Sequence, residues 1–227
     1  MLGAAGAYRY ELGEERAALP HLQAYIALRP DDAEAAFRIG WCLLRRAEVP
    51  RGADPLRVAQ LDAESAAKAF ARSSELRPDD EPAAIAVATA RLRAAALADE
   101  RGEAATRDSL RAAAREHLRM IGERFADSAE VRFQLGVLAE LEQDGEAARA
   151  AYSAALERSP GHVGSALNHA AMLAADGDAA AAEAVLRRML GVPESAAALT
   201  RDERRRIDGW LAERAAAAEH GQMPRML

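Results

Sequence analysis

The residues that could carry chemistry in this 227-residue chain are few and scattered. The histidines are His21, His117, His162, His169 and His220. His162 and His169 stand seven apart and can share one helical face, but no third ligand lies near them, so no metal is expected. Cys42 is the only cysteine, which leaves no internal disulfide and no cysteine-based zinc site. Lys68, the only lysine, sits among alanines and has nothing beside it to support a Schiff base. Asp176-Gly177-Asp178 starts like a calcium loop, yet the remaining ligands and the closing glutamate are missing. No HExxH, nucleophile elbow, phosphate loop or dinucleotide fingerprint occurs. The sequence therefore predicts no catalytic residue, no metal and no cofactor, and it is read as a non-enzyme.

Composition narrows the class further. Half of the chain is apolar, only 4% is aromatic, and 29% is charged, a balance that suits packed helices and not wholesale disorder. The formal charge of −6 argues against a nucleic-acid binder. The run Arg201–Arg206 is interrupted by Asp202 and Glu203 and has no interleaved aromatics, so it reads as a solvated helix face. The longest clean apolar stretch, Ala83–Ala90, is far short of the ~20 residues that cross a bilayer, so no membrane insertion is expected. Met1–Tyr10 shows no secretory signal. The default location is cytoplasmic, or periplasmic if the true start lies upstream.

The elements that position these residues come from a repeat. Small residues recur at Gly6, Gly40, Ala88, Gly136 and Ala170, and a second set recurs at Ala18, Ala66, Ala114, Ala148 and Ala182. From each member of the second set to the next of the first is always 22 residues. Within a unit the step is 12 residues in units one, four and five, and 26 in units two and three. Each unit reads as two helices. In unit four, Phe133, Leu135, Val137, Leu138 and Leu141 populate the first, Gly145 marks the turn, and Ala148, Tyr152, Ala155 and Leu156 form the amphipathic stripe of the second. Pro160-Gly161 ends that helix, as Pro30, Pro78 and Pro193 end others.

Leu135-Gly136, Ala148, Tyr152, Ala155 and Pro160, echoed by Ile39-Gly40, Leu43, Ala66, Phe70 and Pro78, resemble the tetratricopeptide repeat family. The resemblance covers residues 1 to about 194. It implies an all-α, right-handed α-solenoid of antiparallel helix pairs. The expected units are 1–32, 33–80 and 81–128 (both with an insertion), 129–162 and 163–194.

Three departures set expectations of their own. The 14 extra residues of units two and three fall at the hairpin ends. Asp54-Pro55 predicts a second helix running to about Leu76, and Glu81–Ala98 predicts an extended first helix closed by Arg101-Gly102. Two long hairpins side by side are expected, a loop at Glu48–Ala53 being the alternative. His169 stands where the other units have an apolar core residue, and it is read as a half-buried packing residue. Met1 enters the first helix about two residues late, which is read as a fragment or an upstream start. Residues 195–220 are expected to form a capping helix, with Thr200 and Glu203 as a capping box and Ile207, Trp210 and Leu211 as its apolar stripe. Residues 221–227 read as a tail.

In the family this chain resembles, the first helix of each pair lines a concave groove. The corresponding positions are Ala7 and Tyr10 in unit one, and Phe37, Arg38, Trp41, Leu44 and Arg45 in unit two. Ile85, Thr89 and Leu92 follow in unit three, Phe133, Gln134, Val137 and Leu141 in unit four, and Leu167, Asn168 and Ala171 in unit five. The paired Lys and Asn clamp by which some family members hold a chain-end carboxylate is missing. The resemblance thus implies a scaffold or adaptor that binds a peptide or helix of a partner protein in an apolar groove. The runner-up is a regulatory or targeting subunit of a larger enzyme or envelope-biogenesis assembly. Self-association is a third use of the surface.

Overall fold

The computed structural model describes residues 2–49 and 52–220, and among these residues every regular element is a helix. The expected tail at 221–227 and the middle of the Glu48–Ala53 segment lie outside the described residues. Two compact units divide the chain after Ala126.

The first unit holds α1 (Leu2–Glu11), α2 (Glu15–Ile26), α3 (Ala33–Glu48), α4 (Pro55–Leu76), α5 (Glu81–Glu100) and α6 (Ala104–Arg124). The second holds α7 (Ala129–Leu141), α8 (Gly145–Arg158), α9 (Val163–Ala175), α10 (Ala179–Leu190), α11 (Pro193–Ala198) and α12 (Arg201–His220). Within each unit a helix packs chiefly on its neighbours in sequence. Short acidic or polar residues start most of them. Asp32, Asp54, Asp80, Ser128, Asp144 and Asp178 each accept the backbone N–H three residues on, which satisfies one of the donors a helix start leaves open.

The two sets of small residues do what the spacing predicts. All five alanines of the second set have no exposed surface, and the first-set residues are buried, the three glycines each facing a large side chain. A Cβ on Gly40 would stand 2.6 Å from the Phe70 ring, and one on Gly6 would stand 2.9 Å from Leu22 Cγ. A Cβ on Gly136 would strike the Tyr152 ring. The helices of a pair cross at these points, and a larger residue would push them apart.

The insertions lengthen helices. α4, α5 and α6 have 22, 20 and 21 residues, against 12 to 14 for α7 to α10. Their added turns bury Ala47, Ala59, Ala63, Ala94 and Leu97 together, with Leu56 and Leu110 against them. Arg46 grips the buried carboxylate of Asp62 through two bonds of 2.6 and 2.5 Å. At the hairpin ends Arg101 joins Asp54 to Glu103, which also accepts from Gln60.

Two local expectations are corrected. In unit four the turn residue is Gln143, at φ 62°, the place held by Gly13, Gly102 and Gly177 elsewhere; Gly145 is already the first residue of α8. The segment after α10 is not one helix, because the six-residue α11 precedes α12. Ser195 on α11 donates to the Gly161 carbonyl at 2.6 Å. The capping box forms as read: Glu203 N–H donates to Thr200 Oγ1 at 3.2 Å, and Thr200 N–H donates to Glu203 Oε2 at 2.8 Å. Ile207 and Trp210 are buried against Ala182, Leu186 and Met189, which covers the apolar side of the last helix pair.

Candidate functional site

In the first unit the predicted surface collects around aromatic rings. Phe37 and Trp41 are half-buried and lean edge-on against each other and against Phe70, with ring centroids 5.5 to 6.2 Å apart. Tyr10 is also half-buried, and the Arg38 guanidinium lies over its ring at 5.6 Å. Burial first, then the neighbouring Cys42, pushes the Tyr10 phenol up from its ordinary value. Arg38 is neutralised by Glu34 at 2.9 Å and Glu11 at 3.4 Å. Beside it, Ala7, Leu22, Tyr25, Asp32 and Glu34 line an open cavity of about 290 Å³. The Tyr25 hydroxyl donates to Asp32 at 2.9 Å, and Asp32 is held below its ordinary value, chiefly by the Ala35 N–H.

Four predicted surface residues are corrected to buried ones. Leu44 belongs to the core cluster with Leu22, Leu43 and Phe70. Ile85 and Leu92 sit on α5, whose buried residues run from Ala83 to Ala98 around nearly the whole circumference, the mark of an interior helix. Gln134 is turned inward and donates to Glu130 at 2.8 Å. Of the remaining residues in this unit, Thr89 spends its hydroxyl on the Ile85 carbonyl, and Arg45 is exposed with Glu48 and Glu15 beside it.

The second unit builds its face from α7 and α9. Phe133, Val137 and Leu141 recur along α7 and are half-buried, as are Leu167 and Asn168 on α9, while Ala171 is exposed. The Phe133 ring packs on the Tyr152 and His162 rings at 5.8 and 5.1 Å and against Gly164, where a Cβ would stand 2.9 Å away. The Tyr152 hydroxyl donates to Glu140 Oε2, and Asn168 Nδ2 donates to both, at 2.9 Å to the phenol and 3.2 Å to the carboxylate. Burial, then the bond to Glu140, holds the Tyr152 phenol far above its ordinary value, so it stays a donor.

Sequence reasoning missed Glu130, Glu140 and Tyr152 as parts of this face. Glu130 and Glu140 stand three residues from Phe133 and Val137, so the helical period contained the signal.

Cys42 and His117 are taken up by burial and by a backbone bond. Burial first, then Glu15, pushes the Cys42 thiol up to about 11, so it is protonated at neutral pH. His117 bonds the Ala84 carbonyl at 2.7 Å, and its basicity falls with burial. His169 is half-buried as expected, with Nδ1 unpartnered and its basicity lowered by burial and then by Arg149. Among the described residues no three His, Cys, Asp or Glu side chains come together as a metal site, and no helix is long and apolar enough to cross a membrane.

Fold and site together define a helical-repeat protein of antiparallel helix pairs. Among solved structures it is similar to MamA from Desulfovibrio magneticus RS-1, at 15% identity and a TM-score of 0.57 over 84% of this chain and 92% of that one. Two other MamA structures match at 13% and 14% identity, each with a TM-score of 0.57. They cover 88% and 86% of this chain and 94% and 97% of theirs. At such identity the likeness concerns the fold. No family model matches the chain, and no curated protein does.

Proposed function

We propose that this chain is a non-catalytic scaffold of the tetratricopeptide type, which holds a peptide or helix of a partner protein on the first-helix faces of its repeats. The observation that carries the reading is the set of half-buried aromatic and aliphatic side chains on those faces. Tyr10, Phe37 and Trp41 lie in the first unit, and Phe133, Val137, Leu141 and Leu167 in the second. Such side chains are fixed on one side by the core and open on the other, so a docking segment gains apolar area at little added ordering cost. The protonated Cys42 and the carbonyl-bound His117 support a binding role over a reactive one.

The test compares wild type with a Trp41→Glu, Phe133→Glu variant as baits in the native host, after circular dichroism shows both folded. A partner held by wild type and lost from the variant supports the reading. A partner held equally by both overturns it.

A further inference from the structure

The docking face of the second unit carries a sign as well as an apolar stripe. Along α7, Glu130, Phe133, Val137, Glu140 and Leu141 fall on one side of the helix, apart from the buried Val131 and Leu138. The two carboxylates are about 15 Å apart along the axis at 1.5 Å per residue. Each is held by hydrogen-bond donors that are neither lysine nor arginine. Glu130 accepts from Gln134 at 2.8 Å and from His162 at 2.8 Å. His162 Nδ1 accepts the Ser165 N–H at 3.1 Å, which leaves Nε2 as the ring atom that donates to Glu130. Glu140 accepts from Tyr152 and Asn168, both on Oε2, which leaves Oε1 with its lone pairs for another donor.

Neither carboxylate has an arginine or lysine partner among the described residues, although Glu130 keeps only 39% of its side chain exposed. Burial pushes the Glu130 carboxyl up, but the bonds from His162 and Gln134 outweigh it, and the group is more acidic than usual. The first unit differs here, since Arg38 sits between Glu34 and Glu11 beside its aromatic rings. The wider field agrees: from Asp127 to Leu199 the sequence holds eleven acidic residues against five arginines.

From this we infer that the α7–α9 face takes a cationic, amphipathic segment of a partner protein. Its apolar side would seat on Phe133, Val137, Leu141 and Leu167, and its lysine or arginine side chains would reach Glu140 and Glu130. The inference rests on the docking reading above and adds the chemistry of the partner. Charge complementarity selects it over an anionic segment, because like charges set against the half-buried Glu130 and the exposed Glu140 are repelled. The donors already around Glu130 and Glu140 hold the carboxylates in place, so an incoming cation meets a preorganised site.

The experiment titrates the full chain with three labelled amphipathic helical peptides that share one leucine pattern and carry lysine, glutamine or glutamate at the flanking positions. The variants are Glu140→Gln and Glu130→Gln, which keep an acceptor for the local donors. Glu157→Gln on the exposed side of α8 is the control. The lysine peptide binds tightest, and its advantage over the glutamine peptide shrinks as salt is raised. Each inner substitution weakens it by roughly two- to fivefold, the scale of a partly exposed ion pair, while the control leaves it unchanged.

Equal binding of the lysine and glutamine peptides overturns the inference and leaves the docking reading standing. So does an equal loss in the Glu157→Gln control, which would reveal only the overall negative field. Absence of binding by all three peptides overturns both readings. A dimer in sedimentation that the same two glutamine substitutions dissociate would put a second copy on the face and replace the cationic segment.

Discussion

The imidazole of His162 joins the start of α9 to the first turn of α7: its Nδ1 accepts the Ser165 N–H at 3.1 Å, and its Nε2–H donates to Glu130 at 2.8 Å. One ring thus caps a helix and holds an acidic side chain on the face of its neighbour. Replacing His162 with alanine should cost about 1–2 kcal/mol, the scale of a lost cap. His162→Asn, which can restore the cap but not the reach to Glu130, should recover part of that loss. Urea unfolding followed by circular dichroism measures both. Equal stability of the alanine and wild-type chains would contradict this role.

His117 sets a pH dependence of known sign. Burial lowers its basicity from the ordinary 6.5, helped by Arg91, although the bond to the Ala84 carbonyl opposes the shift. The unfolded chain therefore takes up the proton first. The stabilisation is complete above about pH 6.5 and is lost as the pH falls toward the lowered native value. His117→Gln keeps a donor for Ala84 and removes the titration. Its melting temperature should fall less than that of wild type between pH 7 and pH 5.5. Parallel falls in the two proteins would sink this assignment.

Two substitutions, one inside α7 and one in the turn that follows it, should have opposite signs. Gly136→Ala drives a Cβ into the Tyr152 ring and should destabilise by about 1–3 kcal/mol, as overpacked cores do. Gln143→Gly relieves a left-handed residue at φ 62° and should stabilise by up to about 1 kcal/mol. Chemical denaturation of both variants reads the pair.

The role of α12 as a cap is testable at Trp210, which is 5% exposed in the cluster with Leu186 and Met189. Trp210→Ala should cost about 3 kcal/mol and raise amide exchange in α9 and α10 before it does so in the first unit. Unchanged exchange in those helices would show that the last pair is stable without its cover.

Much of the architecture was legible from spacing. The 22-residue step located the close contacts of Gly40 with Phe70 and Gly136 with Tyr152, because only small residues fit where paired helices cross. Asp54-Pro55 and the Thr200–Glu203 box marked helix starts that the structure has at Pro55 and Arg201. The face was less legible. The repeat phase put Ile85 and Leu92 on a surface, but α5 is apolar almost all round and lies inside, which a single-face template cannot express. Tyr152 was read only as a core residue, since nothing in its own helix reveals that its hydroxyl reaches Glu140 and Asn168 on two other helices. Gln143 escaped notice because a glycine two residues later drew the turn toward itself.

The central claim is that partners dock on the first-helix faces, and site-specific photo-crosslinking in the native host tests it most directly. A benzophenone side chain placed at Val137 on α7 is compared with one at Glu157 on the outer side of α8. The account predicts a discrete cross-linked partner from position 137, lost when Phe133 is replaced by glutamate, and none from position 157. Cross-links of equal yield at both positions, or only at 157, would contradict it.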